Sequence, residues 1–123
     1  MQQDNFAAER DLKQLCQSLG LLYEPQDWGI INANGQRLSE FIAYYEANPL
    51  SATQRFELSE LILASANERL LGGESLPEPL HAFLSRNRHL LETQLEYWQN
   101  LQDELEFPVA NWLRTNFSEP RHE

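Results

Sequence analysis

Apolar residues recur along most of this chain at the three-to-four-residue spacing of an amphipathic helix. The first such stretch runs from about Asn5 to Leu19, where Ala8, Leu12, Leu15, Cys16 and Leu19 share a face. Gly20 follows, a residue able to take the positive φ that ends a helix. A second stripe, Leu38, Phe41, Ile42 and Tyr45, predicts a helix over about Gly35 to Ala47, and Asn48-Pro49 stops it because the residue before proline is pushed out of the helical region. Ser51-Ala52-Thr53-Gln54 then has the form of a capping box, with Leu50 placed to staple onto Arg55 or Phe56. It opens a helix over about Ala52 to Leu71 that is apolar on more than one face between Leu58 and Ala66, the pattern of a central helix with neighbours on several sides. Gly72-Gly73 closes it.

After Pro77 and Pro79, Leu80, Phe83, Leu84, Leu91, Leu95 and Trp98 fit one helical face, interrupted by Asn87 and Arg88. The pattern allows one long helix to about Leu101 or two broken near Asn87. Pro108 suits the first turn of a last short helix whose apolar side is Val109, Trp112, Leu113 and Phe117. Residues 118–123 read as a frayed tail. One stretch resists assignment. Between Leu21 and Gly35, Pro25 breaks any helix and Asn34-Gly35 signals a turn, while Trp28-Gly29-Ile30-Ile31 has no partner strand to pair with. It reads as an extended loop with Trp28 and Ile30 or Ile31 plugged into the core. The expectation is an all-α, single-domain bundle of about five helices over residues 1–123, with an irregular loop at about 21–35.

Charge changes the picture more than composition does. The 123 residues hold 19 Asp+Glu against 9 Lys+Arg, a formal net charge of −10. Lys13 is the sole lysine. Such a balance argues against nucleic acid, which needs clustered cations, and against anionic membrane surfaces. No apolar run approaches the roughly 20 residues that span a bilayer, and the polar stretch Met1 to Asp11 does not resemble a secretory leader. With Cys16 as the one cysteine no internal disulfide forms, so a cytoplasmic location is expected, and Cys16 reads as a small buried hydrophobe.

Catalytic signatures are thin. Glu78 and His81 form one Glu-x-x-His, and His89 with Glu92 repeats the spacing in reverse. A metal site would need further ligands converging from other helices, with Glu57 or Glu60 as candidates, and solvated first-turn charges that suit the helix dipole explain the pairs better. Gly72-Gly73 lacks the lysine and preceding strand of a phosphate loop. No motif requires a cofactor, and catalysis is not expected.

The acids are unevenly placed. From Glu92 to Glu106 the chain holds five acids (Glu92, Glu96, Asp103, Glu104 and Glu106) and no lysine or arginine, with Tyr97 and Trp98 in their midst. Helical phase puts Trp98 in the core and leaves Tyr97 open. An exposed aromatic ringed by carboxylates would anchor and steer a basic protein. Glu40, Tyr44 and Glu46 form a second acidic surface of the same kind. In size, charge and helicity, though in no motif, the chain resembles bacterial immunity proteins, small acidic helical proteins that block cationic toxins. That resemblance implies a non-catalytic protein docking on a basic protein partner. The alternatives are a structural homo-oligomeric subunit, such as a homodimer, and a small helical metal-dependent enzyme using Glu78, His81, His89 and Glu92.

Overall fold

The computed structural model describes residues 2–117, with side chains from Phe6 onward. Among them are seven α-helices, one 3₁₀ turn and no strand. They are α1 (Gln2–Leu19), α2 (Trp28–Ile31), the 3₁₀ turn Gly35–Arg37, α3 (Leu38–Ala47), α4 (Ala52–Leu71), α5 (Glu78–Arg86), α6 (Glu92–Gln99) and α7 (Pro108–Asn116). The all-α class holds, but the helices exceed the expected five because the 21–35 segment contains the helical turn α2 and because α5 and α6 are separate. The expected tail at 118–123 lies outside the described residues.

Helix α4 is the axis of the molecule. It packs against α1, α2, the 3₁₀ turn, α3, α6 and α7, while α5 leans on α3 and α6 on α7. That explains its broad apolar surface: Leu58, Leu61, Ile62, Leu63, Ala64 and Ala66 are all buried, in one cluster with residues from every other helix but α2's isoleucines. Its start is the reciprocal capping box read from sequence, Gln54 N–H donating to Ser51 Oγ (3.2 Å) and Ser51 N–H to Gln54 Oε1 (3.1 Å). Helix α1 ends where Gly20 takes φ 68°, letting the Leu21 N–H turn back to the Cys16 carbonyl (2.9 Å).

The 21–35 segment corrects the sequence reading. Trp28–Ile31 is a single helical turn, entered through Asp27 at φ 56°. Trp28 is 1% exposed, as expected of a plug. Ile30 and Ile31, however, are 58% and 49% exposed. The second core position belongs to Gly29. A Cβ there would lie 2.8 Å from the Leu61 backbone nitrogen and 3.0 Å from Glu60 Cβ, so only glycine lets α2 approach α4 this closely. Trp28 Nε1 donates to the Leu22 carbonyl (2.8 Å) and to Cys16 Sγ (3.0 Å), and Asn32 Nδ2 links the carbonyls of Leu22 and Trp28.

Two further boundaries move. The helix expected from Gly35 begins at Leu38, because Gly35–Arg37 winds as 3₁₀ with Asn34 Oδ1 accepting from Gln36 N–H. The chain also breaks after α5. Asn87 ends that helix, its Nδ2 donating to the Phe83 carbonyl (2.9 Å), and a run of turns puts Leu91 inside the core while leaving Leu90 exposed. The start of α7 is pinned from a distance. The buried Asn67 amide on α4 donates to the Glu106 carbonyl (3.0 Å) and accepts from Val109 N–H (3.1 Å). One side chain thus satisfies two backbone groups of a chain entry that has no cap of its own.

Five of the described arginines serve the fold by holding backbone carbonyls. Arg37 donates to the Leu19 carbonyl, Arg55 to Leu50, Arg69 to Ser75 and Gly35, Arg88 to Phe117 and Arg114 to Gln99. A guanidinium carries several donors in a rigid fork and can staple a carbonyl while still meeting a carboxylate. These positions suit arginine and leave few cations to offset the acids elsewhere.

Candidate functional site

The acids of the sequence-predicted surfaces do not form one patch. Buried Gln94, Leu95 and Trp98 turn one side of α6 inward. Glu92 and Glu96 lie exposed on another side, in a shallow depression with Arg88 and His89. Tyr97, 61% exposed, stands away from that depression. Asp103 serves the backbone, its Oδ1 accepting from the Leu105 and Glu106 N–H groups (3.1 and 3.2 Å) in the turn before α7. Glu104 meets Arg114 at 3.1 Å although no cation is near it in sequence. Glu106 is exposed.

The second surface is compensated too. Arg37 donates Nε and Nη2 to the two oxygens of Glu40 (2.8 and 2.7 Å), and these hydrogen bonds hold the Glu40 carboxyl below the usual carboxylate range. Glu46 pairs with Arg86. Tyr44 is half-buried against the core.

The histidines are apart. His81 sits edge-on to the rings of Phe117 and Trp112, with Nε2 3.2 Å from the Asn116 carbonyl, whereas His89 neighbours Glu92 on the outside of α6. Among the described residues no group of three or more His, Cys, Asp or Glu side chains is arranged to hold a metal ion. Burial pushes the Cys16 thiol up, opposed by its Trp28 hydrogen bond.

What the structure does assemble is a groove of about 470 Å³ between α2, α4 and α6. Ile30, Phe56 and Tyr97, three of the large apolar side chains left more than half exposed, stand at it. Trp98, Leu101 and Phe107 line its deeper part, the Trp98 indole edge-on to both Tyr97 and Phe107 at 6.3 Å between ring centres. Three acids also line it, Asp27, Glu57 and Glu60, and no base.

The two glutamates differ. Glu60 is held: Gln94 Nε2 donates to its Oε2 at 2.9 Å and Trp98 Nε1 at 3.2 Å, while the same Gln94 nitrogen reaches the Phe56 carbonyl (3.0 Å). Glu57, one helical turn earlier, makes no hydrogen bond and no ion pair among the described residues. Partial burial pushes its carboxyl up, and the charge of Glu60 adds to the effect. The groove therefore offers an oriented carboxylate, a second one with no protein partner among the described residues, and aromatic walls. Such a site suits a cationic group with an apolar body, for which it supplies charge, acceptors and rings at once.

Of the groove's residues, the sequence pattern points to Tyr97 for binding, to Trp28, Ile30 and Trp98 for the core, and to Glu57 and Glu60 only as candidate metal ligands. Phe56 went unremarked except as a staple partner. The available signal was that Phe56, Glu57 and Glu60 lie in the most buried helix of the chain, where an unpaired charge is costly. No family model matches this chain, and neither a curated protein nor a solved structure is significantly similar to it.

Proposed function

We propose that this chain is a non-catalytic binding protein that docks on a basic protein partner, in the manner of the immunity proteins it resembles in size and charge, with the groove between α2, α4 and α6 as the centre of the contact. The observation that carries this reading is the groove itself: exposed Ile30, Phe56 and Tyr97 beside three acids and no base. Aromatic anchors at the centre of an interface supply most of the affinity. The surplus of acids over the whole surface supplies steering and discriminates against acidic partners. Glu92, Glu96 and Glu106 contribute to that field, whereas Glu40, Glu46 and Glu104 are offset by arginines.

Affinity capture with the immobilised protein at low and high salt tests this, run in parallel with Tyr97→Ala and with Glu92, Glu96 and Glu106 reversed to lysine. The expected result is a basic protein that binds wild type at low salt, is released at high salt and is lost with Tyr97→Ala. A partner held equally by both variants, or indifferent to salt, overturns the reading.

A further inference from the structure

We propose that the groove is a receptor for a single arginine side chain of the partner, its guanidinium set between Glu57 and Glu60 and its plane against Tyr97. The proposal rests on the binding-protein reading above and gives its contact a chemistry. Charge complementarity selects the occupant. The groove has three acids and no base, and among the described residues no cation lies within ion-pair distance of either glutamate. Among the described residues, Arg37, Arg55, Arg69, Arg88 and Arg114 are engaged elsewhere, each on a backbone carbonyl.

Geometry then favours arginine over lysine. Glu57 and Glu60 are three residues apart on α4, so their carboxylates rise on the same side of the helix, a turn apart. Two carboxylates so placed match the fork of a guanidinium better than the point charge of an ammonium. Glu60 is already oriented by Gln94 and Trp98, which leaves Glu57 as the acceptor without a partner. The exposed ring of Tyr97 supplies a face on which a planar cation stacks, and Ile30 and Phe56 cover the methylene stem. An arriving guanidinium would favour the charged form of Glu57, whose carboxyl is raised in the free protein by burial and by Glu60, so binding at mildly acidic pH should release a proton.

The test uses small probes on the whole protein: N-acetyl-arginine amide, N-acetyl-lysine amide and the uncharged isostere N-acetyl-citrulline amide, titrated while the Trp98 indole and Gln94 amide resonances are followed by NMR. The arginine probe should shift both signals with saturation. The lysine probe should bind several-fold more weakly, and the citrulline probe should leave the signals unmoved at the same concentrations. Glu57→Gln should weaken the arginine probe about tenfold, as loss of one charged partner does. Glu68→Gln, exposed on the same helix and outside the groove, should not. Equal shifts from citrulline, equal binding of lysine, or binding unchanged by Glu57→Gln would each overturn the proposal. Failure here with a basic partner captured above leaves the binding-protein reading standing without its arginine. Arginine binding with no basic partner captured removes that reading and leaves the receptor.

Discussion

The α3 flank and the α2–α4–α6 groove are both acidic, yet they treat their acids in opposite ways. On the flank, Glu40 and Glu46 meet Arg37 and Arg86, and Arg37 lies over the Phe41 ring while also holding the Leu19 carbonyl. The acids there belong to the fold. In the groove, Glu57 is half-buried beside a second carboxylate with no cation to meet it. The comparison teaches that a count of acids is a poor guide to a recognition surface. The informative residue is the carboxylate that the fold partly desolvates and then leaves uncompensated, because that cost is recovered only when something positive arrives.

The strongest way to break the comparison is to dismantle the groove while leaving the flank intact. Gly29→Val places a branched side chain where a single Cβ already falls 2.8 Å from the α4 backbone. It should destabilise the protein by about 3 kcal/mol, read from the denaturant midpoint. The Trp28 indole should lose its hydrogen bond to Leu22 and give a shifted emission. A loss below about 0.5 kcal/mol would mean that α2 is not held against α4 as described.

Next in size is Asn67→Ala. It strips the partner from the Glu106 carbonyl and the Val109 N–H at once, and should cost about 2 kcal/mol. Because Phe107 lies between those two groups and lines the groove, hydrogen exchange should quicken at 106–109 ahead of the flank. Uniform exchange would refute the local role. Ser51→Ala, which removes the capping oxygen of α4, should cost about 1 kcal/mol without altering either acidic surface.

The smallest effects sharpen the comparison most, since they differ in sign. Glu40 has its carboxyl lowered by Arg37, so its contribution to stability is present above its ordinary titration range and is lost as pH falls through the lowered value. Glu40→Gln should destabilise at neutral pH by no more than about 0.5 kcal/mol, since the pair is solvent-screened. Glu57 has its carboxyl raised, so the stability linked to it is full below the ordinary carboxylate range and is lost as pH rises through the raised value. Glu57→Gln should therefore raise the denaturation midpoint at neutral pH and flatten the pH profile of stability above the ordinary carboxylate range. Equal signs for the two variants would abolish the distinction between flank and groove.

The residues themselves show where sequence reading stops. The capping box of α4, the stop at Gly20 and the break at Asn48-Pro49 were legible because each signal acts within about one turn of the chain. The stripes Leu12–Leu15–Cys16–Leu19 and Leu38–Phe41–Ile42–Tyr45 were legible because burial imposes the helical period on whatever face turns inward. The 21–35 segment was not. Its short turn is stabilised by what it touches, α4 through Gly29 and Leu22 through Trp28, rather than by propensity of its own.

Sequence alone determined the helical class, the central place of α4, the core positions of Trp28 and Trp98, and the acid excess. Only tertiary structure decided which acids stay uncompensated. Glu104 finds Arg114 across the turn before α7, and Glu46 finds Arg86 across the gap between α3 and α5. Glu60 is gripped by Gln94 from a separation of 34 residues, and Glu57 beside it has no such partner among the described residues. Pairings at such distances follow from how helices pack, and packing is set by the whole core at once rather than by any window of the chain.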